Sequence, residues 1–225
     1  MTDRARRPTI AVIGAGFSGS LVALHLLASG PAAPRILLVE RARGFGKGVA
    51  YSTRHGAHLL NVRAGNMSAY PDLPGHFLDW LRARNEEVDP SGFVARATYG
   101  QYLQDMLSQA AMGSDAVGRL VLVADDAVSL TRQPDGLFLL TTDVGRSYAV
   151  DGAVLAVGNF PPDPPPGVDK DLLGSFRFRT DPWAPEALGR INVMDPVLLL
   201  GTSLTMVDVA LSLTDQGHAG PILAL

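Results

Sequence analysis

The feature that most constrains the fold is a glycine motif set between an apolar run and a helical pattern near the start of the chain. The letters GAGFSG follow the apolar run Thr9–Ile13 and open the helical pattern Ser18–Ala28. An unbroken apolar run predicts a buried strand, and a second such run, Arg35–Val39, comes next. A strand, a helix and a strand in this order predict a parallel sheet with a helical crossover.

Each glycine of the motif has a distinct physical use. Gly14 permits a tight turn, Gly16 lets the backbone approach a pyrophosphate, and Gly19 lets the helix and the strand pack closely. The helix N-terminus then offers free N–H groups to phosphates. Glu40 ends the second strand, 21 residues after Gly19, where a carboxylate accepts hydrogen bonds from ribose hydroxyls. The prediction is a Rossmann-like α/β dinucleotide-binding domain; the alternative is a glycine-rich turn in an ordinary α/β sheet.

Composition disfavours several classes of function. Lys plus Arg is 19 and Asp plus Glu is 22, which gives a formal charge of −3 and no support for a nucleic-acid or anionic-membrane partner. No segment has the ~18 uninterrupted apolar residues of a membrane span. The chain has no Cys, which excludes disulfides and thiolate metal sites and fits a reducing compartment. We therefore expect a cytoplasmic protein. Arg4, Arg6 and Arg7 before the first strand imitate a secretory signal, but the glycine motif argues against one.

The middle of the chain changes its hydrophobic period. Helical patterns near Gly75–Arg84 and Thr98–Met112 predict a helical insert over about residues 70–112. Short strand-like runs separated by the turn signals QPDG and DVGR predict a β-meander over about residues 119–157. The insert and the meander are expected to belong to a first domain that spans residues 1–160.

Prolines mark the end of this first domain. Five of the six residues 161–166 are Pro, which stiffens the backbone and removes donors. We therefore predict a proline-rich linker over residues 161–196. The following strand, helix and strand, residues 197–225, predict the start of a second Rossmann-like domain.

The second domain begins with LLLGTSLTMVD, which repeats the context of the first motif without its glycines. Gly201 is present, but Ser203 stands at the second glycine position and Met206 at the third. The Cβ and hydroxyl of Ser203 lie where a pyrophosphate should touch backbone. A nucleophile elbow is disfavoured because Thr205 replaces the last glycine of that pattern. Asp208, in the second turn of the helix, is expected on a solvated face.

The segment after Glu40 favours FAD over NAD for the first site. NAD-binding domains usually continue directly into a third helix, whereas here a glycine-rich loop containing Gly46, Lys47, Gly48 and Val49 follows. FAD is extended and needs such loops to cover its pyrophosphate and its flavin. The β-meander before LAVGN points to the same cofactor.

These residues resemble the two-dinucleotide-binding-domain flavoproteins. VIGAGFSG, LLVE, GKGVAY and LAVGN occur in the order found in that class. The stretch LLNVRAGNMSAYPDLP is similar to the Asn…Met-x-x-Phe-Pro-Asp-x-Pro stretch of flavin-containing monooxygenases. Over nearly the whole chain the sequence resembles an FAD/NAD(P)-binding protein family that carries GVAY, LLNVRAGNMS, DPWAP and LLLGTGLTMVD-like strings.

The resemblance implies a set of residues that contact the cofactors. The backbone of Val128 is expected at the adenine, and Gly158 near the cofactor. Gly201 and Ser203 are expected to face NAD(P)H. The residues expected on FAD, or close to its flavin or pyrophosphate, are Gly14, Gly16, Gly19, Glu40, Gly46, Lys47, Gly48, Val49, Asn61, Arg63, Asn66 and Met67. For Arg63, Asn61 and Asn66 the alternative is a surface cation and two turn formers.

The implied activity is that of an NAD(P)H-dependent flavoprotein oxidoreductase of monooxygenase type. In such enzymes a flavin hydroperoxide oxygenates a small nucleophilic substrate such as an amine, and no side chain acts as a nucleophile. The alternatives are an FAD-dependent dehydrogenase or oxidase, and a non-catalytic dinucleotide-binding or sensor protein. No metal is expected, because His55, His58 and His76 have no carboxylate or thiol at ligand spacing. Since the second domain stops at its second strand, we expect a fragment or shortened relative of a protein about twice as long.

Overall fold

The computed structural model describes residues 6–42, 44–113, 118–160, 162–184 and 187–225. The chain divides into two compact units, Met1–Gly158 and Asn159–Leu225. Three residues used in the sequence analysis lie outside the described ranges: Arg4, Pro161 at the head of the proline-rich stretch, and Pro185 of the DPWAP string.

The first unit contains a parallel sheet, a meander and four helices among its described residues. In chain order the elements are β1 (Thr9–Ile13), α1 (Phe17–Leu27), β2 (Arg35–Val39), α2 (Gly48–Tyr51), a 3-10 turn (Ala64–Asn66), α3 (His76–Arg82), α4 (Arg96–Met112), β3 (Leu120–Val123), β4 (Ala127–Arg132), β5 (Phe138–Thr142), β6 (Ser147–Val150) and β7 (Gly152–Leu155).

The four parallel strands lie in the order β3-β2-β1-β7. β1 pairs with both β2 and β7, so that Ile10 has Ile36 and Gly152 as its two cross-strand partners. Val12 and Leu38 are fully buried, as expected for strands covered on both faces. The glycine motif and Glu40 therefore follow directly after the carboxyl ends of two adjacent strands. This is the edge at which α/β sheets bind ligands.

The meander is shorter than the sequence predicts. Only β4, β5 and β6 form the antiparallel sheet, so the expected extent of residues 119–157 is wrong at both ends. β3 pairs in parallel with β2, and β7 pairs in parallel with β1. A short apolar run identifies a buried strand without specifying its partner. Here the first outer run pairs with β2 and the last pairs with β1, so both belong to the parallel sheet.

Helices α1 and α4 pack on the parallel sheet and enclose an aromatic core. Tyr99 and Tyr102 of α4 meet Phe77 of α3 with ring centroids 5.1 and 5.0 Å from its ring, and all three side chains are buried. Aromatic groups of this size contribute a large share of the apolar area that stabilises a domain. The helical insert is thus part of the core of the first unit, and its helix α4 packs beside α1.

The second unit contains α5 (Lys170–Leu173), β8 (Val197–Leu199), α6 (Leu204–Asp215) and β9 (Ile222–Ala224). β8 and β9 pair in parallel, with Val197 opposite Ile222. The solvated position expected for Asp208 is wrong, because only 5% of this residue is exposed. It shares the buried face of α6 with Val209, Ser212 and Leu213, as the i, i+4 spacing of a helix requires.

Candidate functional site

Gly14 and Gly19 are required by the packing of the chain itself. Gly14 has a φ of +96°, a left-handed conformation that favours glycine. A Cβ at Gly14 would overlap the carbonyl oxygen of Ala156, and a Cβ at Gly19 would overlap the carbonyl oxygen of Gly14. The first and third glycines therefore let the strand-to-helix turn close against the segment that follows β7.

Gly16 is a different case, because the protein has room for a side chain there. Its φ of −69° and ψ of −164° suit any residue, and a Cβ would meet only the Cα of Gly48, at an ordinary 3.5 Å. Gly16 is also the N-cap of α1, and no side chain caps this helix. The first N–H groups of α1 have no partner within the helix, and Phe17 and Ser18 are exposed. The bare backbone at Gly16 thus suits the approach of an anionic ligand. The fold itself does not require a glycine at this position.

Glu40 is tied to this glycine loop. Its Oε2 accepts a hydrogen bond of 2.8 Å from the backbone N–H of Ala15, and its Oε1 accepts one of 3.1 Å from the N–H of Ala42. The residue is half-buried. A carboxylate has about four acceptor positions, so each oxygen retains a lone pair with which it can accept a ribose hydroxyl.

A second glycine loop crosses the N-terminus of α1. The N–H of Gly46 donates a 2.8 Å hydrogen bond to the carbonyl oxygen of Ala15. Gly48 has a φ of +56°, and a Cβ placed on it would lie 2.9 Å from the Cα of Gly16. The two glycine loops therefore touch backbone to backbone. Lys47 lies between these two glycines, and Val49 is 71% exposed beside them.

The segment that carries the predicted asparagines and arginine is held by a different part of the chain. The N–H groups of Leu60, Ala64 and Gly65 donate to carbonyl oxygens of residues 90–94, over distances of 2.8 to 2.9 Å. This pairing fixes the backbone of residues 60–65 against the turn before α4.

The side chains of Asn61, Arg63 and Asn66 are exposed, whereas Met67 packs partly against the core of the first unit. Hydrogen bonds from Ser91 hold the pKa of Asp89 below its usual range, and the charge of Arg63 adds to this effect. The cluster formed by Gly14, Gly16, Gly19, Glu40, Gly46 and Gly48 is thus assembled by direct contacts, while Asn61, Arg63 and Asn66 stand on a separately anchored segment.

Val128 and Gly158 occupy irregular positions near the ends of the meander and the parallel sheet. The register of β4 and β5 shifts between Ala127 and Ser129, so Val128 is a bulged residue, and it is 59% exposed. Gly158 follows β7 with a φ of +74° and open space around its Cα. Both residues are exposed and accessible to a ligand.

The second glycine motif has a strand-turn-helix geometry similar to that of the first, with looser packing. Gly201 has a φ of +112°, but a Cβ there would meet no atom within 4 Å. Ser203 is the exposed N-cap of α6 and makes no side-chain capping bond. His218 lies beyond the other end of this helix, where its N–H donates to Leu213. Twelve residues of helix span about 18 Å, so Ser203 and His218 do not form a catalytic pair.

The histidines of the first unit pair with neighbouring side chains. His55 and His58 stack with ring centroids 4.5 Å apart, and Nδ1 of His58 lies 2.7 Å from Oγ1 of Thr53. Nδ1 of His76 lies 2.7 Å from the hydroxyl of Tyr102. In the part of the chain that the structure describes, no three His, Asp or Glu side chains are grouped as metal ligands. Within the same residues, no helix combines the length and apolar character that crossing a membrane needs.

Sequence reasoning missed two residues of α4 that support the second glycine loop. Gly100 faces Lys47 and Tyr51 at close range, and the Nε2 of Gln104 donates a 3.1 Å hydrogen bond to the carbonyl oxygen of Phe45. The available signal was a glycine inside a helical pattern, which often marks a close approach of backbone.

A parallel sheet with a glycine loop, an uncapped helix N-terminus and an acid after the second strand defines a Rossmann-like dinucleotide-binding fold. The chain belongs to the FAD-NAD(P)-binding family, whose sequence profile matches residues 11–160.

A curated relative and several solved structures extend this comparison. The chain is 28% identical over 258 aligned residues to an L-aspartate N-monooxygenase (nitrosuccinate-forming) of Streptomyces davaonensis, an alignment that covers 94% of this chain and 40% of the relative. The fold of the present chain is similar to that of cyclohexanone monooxygenase in its closed form. The TM-score is 0.62 at 22% identity, over 98% of this chain and 38% of the other.

OTEMO in complex with FAD and NADP gives a TM-score of 0.62 at 19% identity, over 97% of this chain and 39% of the other. The chain therefore spans about two fifths of the length of the proteins that it matches.

Proposed function

We propose that the first unit binds FAD, with the pyrophosphate at the N-terminus of α1 and the adenosine ribose at Glu40. The observation that carries this proposal is the geometry of Gly16. The protein has room for a side chain at this residue. Gly16 nevertheless stands at the N-cap position of α1, where no side chain makes a capping hydrogen bond. A phosphate oxygen at this place would accept hydrogen bonds from the first N–H groups of α1 and be stabilised by the helix dipole.

The residues around Gly16 fit the remaining parts of FAD. Glu40 retains free lone pairs on a carboxylate that the loop already orients. Gly46, Lys47, Gly48 and Val49 form the covering loop, and Lys47 offers a positive charge. The exposed backbone of the Val128 bulge suits the edge of an adenine, which presents one donor and one acceptor. Gly158, which follows β7, is proposed to lie near the cofactor.

The segment of Asn61, Arg63, Asn66 and Met67 is proposed to face the flavin end of the cofactor. Its three polar side chains are exposed and their backbone is anchored by residues 90–94, so they can bind without reorganising the loop. Arg63 would balance negative charge on the ring or on the pyrophosphate. Asn61 and Asn66 would donate hydrogen bonds to the ring edge.

NAD(P)H is the proposed ligand of Gly201 and Ser203 in the second unit. Ser203 holds the N-cap of α6 without using its hydroxyl as a cap, so the helix N-terminus is open to an anion. We accordingly propose an FAD-binding domain over residues 1–160, a proline-rich linker over 161–196 and a partial NAD(P)-binding unit over 197–225. The proposed location is the cytoplasm.

The proposed reaction is monooxygenation of a small molecule, with an amine as the substrate class. FAD supplies the redox chemistry when bound, taking a hydride from NAD(P)H and activating O₂. The residues of this chain bind and orient the cofactor, balance its charge and exclude water. The L-aspartate N-monooxygenase that the chain resembles is named for oxygenation at nitrogen, and this supports an amine substrate.

The proposal is tested by following the flavin spectrum of the purified protein. After addition of FAD and removal of the excess, we expect retained flavin absorbance, bleaching by NADPH under anaerobic conditions, and recovery of colour on admitting air. Oxygen uptake should rise when L-aspartate or another small amine is added. Retained flavin that no nicotinamide bleaches would refute the NAD(P)H assignment, and a colourless protein would refute the FAD assignment.

A further inference from the structure

Helix α4 supports the second glycine loop from the side opposite the first glycine loop. On one side the loop meets Ala15 and Gly16, as described above. On the other side it meets Gly100 and Gln104, which are four residues apart and therefore lie on the same face of α4. The loop is thus enclosed between the glycine motif and a helix that comes about fifty residues later in the chain.

Gly100 forms a notch in the second turn of α4. A Cβ at this position would lie 2.7 Å from the carbonyl oxygen of Tyr51 and 3.2 Å from Cγ of Lys47. Glycine is unfavourable inside a helix compared with alanine, and Gly100 is buried. A side chain is excluded here because the carbonyl oxygen of Tyr51, the last residue of α2, occupies the space where a Cβ would stand.

Gln104 fixes the start of the same loop. Its Nε2 donates the 3.1 Å hydrogen bond to the carbonyl oxygen of Phe45. Gly46, with a φ of +91°, passes so close that a Cβ on it would lie 3.2 Å from both the backbone nitrogen and the Cγ of Gln104. The bond therefore holds the carbonyl oxygen of the Phe45–Gly46 peptide group, and the N–H of this same group donates to Ala15.

The platform behind these two residues is rigid. Tyr99, Tyr102, Leu103 and Met106 of α4 are buried in the core of the first unit. Tyr51, at the end of the loop, packs on Tyr99 with ring centroids 5.0 Å apart. Because α4 is buried behind the loop, the loop has little space to move away from the N-terminus of α1.

We propose that Gly100 and Gln104 are positioning residues that hold the Gly46–Val49 loop over the N-terminus of α1 and so set the affinity for the pyrophosphate of the dinucleotide. This inference rests on the proposed FAD site. Neither residue touches the cofactor in this scheme; both act through the backbone of the loop.

The experiment compares Gln104→Met with Gln101→Met. Methionine keeps the length of Gln104 and removes its donor, and Gln101 is an exposed residue of the same helix that bonds only to Asp105 among the hydrogen bonds described for it. For Gln104→Met we expect the Kd for FAD and for ADP to rise about fivefold, the equivalent of about 1 kcal/mol. The Kd for adenosine, which has no phosphate, should stay unchanged. Gln101→Met should match the wild type for all three ligands.

Limited proteolysis supplies a readout that does not depend on bound flavin. Trypsin should cut after Lys47 faster in Gln104→Met than in the wild type, while the melting temperatures remain within about two degrees. Gly100→Ala should show a larger effect on both FAD affinity and cleavage. If Gln104→Met binds FAD as the wild type does, or weakens adenosine equally, the positioning role is wrong. If the wild type binds no FAD, the proposed function fails instead.

Discussion

The carboxylate of Glu40 accepts a 2.8 Å hydrogen bond from the backbone N–H of Ala15, so the acid that follows β2 is joined directly to the glycine loop that follows β1. The carbonyl oxygen of Ala15 in turn accepts hydrogen bonds from the N–H of Gly46 and from the hydroxyl of Ser20, at 2.8 and 3.1 Å. The loop is therefore pre-organised by the protein. Binding of a dinucleotide then costs less conformational entropy, because the loop is already ordered.

Replacement of Glu40 by glutamine should destabilise the glycine loop and weaken the binding of FAD. The amide presents one NH₂ group, so one of the two N–H donors of Ala15 and Ala42 loses its acceptor. We expect the free energy of unfolding to fall by about 1–3 kcal/mol and the Kd for FAD to rise about tenfold. Urea unfolding and flavin fluorescence titration measure the two effects. Glu86→Gln, at an exposed position, is the control, and equal behaviour of the two variants would contradict a role for Glu40.

Gly16→Ala should separate folding from binding. The backbone conformation and the 3.5 Å contact with Gly48 tolerate a Cβ, so the unfolding free energy should stay within about 0.5 kcal/mol of the wild type. The new methyl group stands where the pyrophosphate must approach, so FAD affinity should fall about tenfold or more. Gly56→Ala adds a methyl group in open space and should bind FAD normally. Unchanged affinity in Gly16→Ala would place the pyrophosphate elsewhere.

Gly14→Ala should have the opposite profile. Its left-handed φ and its contact with the carbonyl oxygen of Ala156 leave no space for a Cβ. We expect a loss of about 2–4 kcal/mol in unfolding free energy, measured by urea denaturation in the absence of added nucleotide. A variant as stable as Gly16→Ala would show that the turn relaxes without cost.

Stability should fall at alkaline pH because of Tyr99. Burial, followed by the nearby Tyr51 and Tyr102, raises the pKa of Tyr99 well above its usual 10.0. The unfolded chain releases this proton near pH 10 while the folded protein retains it, so the stabilisation is complete below pH 10 and is lost as the pH rises above it. Between pH 10 and 11 we expect a loss of up to about 1.4 kcal/mol.

Tyr99→Phe should reduce this alkaline loss, which thermal unfolding across the same pH range would measure. Part of the loss should remain, because burial also raises the pKa values of Tyr51, Tyr70 and Tyr102. The matched control is Tyr148→Phe on strand β6, outside the aromatic core of α3 and α4. A variant Tyr99→Phe that loses as much stability as the wild type between pH 10 and 11 would contradict the role of Tyr99.

Ser203→Gly should improve the second site. Serine at an N-cap without a capping bond contributes little to helix stability, and its replacement by glycine costs only a few tenths of a kcal/mol. Removal of its Cβ and hydroxyl lets a phosphate approach the N-terminus of α6 more closely. We expect affinity for NADPH to rise about threefold or more, as measured by quenching of nicotinamide fluorescence. A decrease in affinity would show that the Ser203 hydroxyl itself contacts the ligand.

The sequence specified the local elements better than their partners. β1, α1 and β2 follow from buried apolar runs and from the glycine turn, because burial and backbone conformation are local constraints. The pairing of β3 and β7 could not be predicted, since short apolar strands fit either sheet until the partner strands are known. Asp208 was misassigned because the side of α6 that is covered depends on residues from elsewhere in its unit.

In the candidate site, too, local features were predicted from the sequence and tertiary contacts were not. A tight turn at Gly14 and close packing at Gly19 were predicted from their spacing, and in the structure a Cβ at either position would meet a specific backbone neighbour. The notch at Gly100 depends on the approach of a loop from residues 46–51, a tertiary relationship that no periodicity encodes. The tie between Glu40 and Ala15 likewise appears only when the ends of β1 and β2 lie side by side.

Titration of the purified chain with FAD, followed by flavin fluorescence, tests the central proposal most directly. We predict saturable binding of one FAD per chain, competition by ADP, and a marked loss of affinity in Gly16→Ala with an unchanged unfolding curve. Free FAD fluorescence that stays unchanged as the folded wild-type protein is added would contradict the assignment of the first unit as an FAD site.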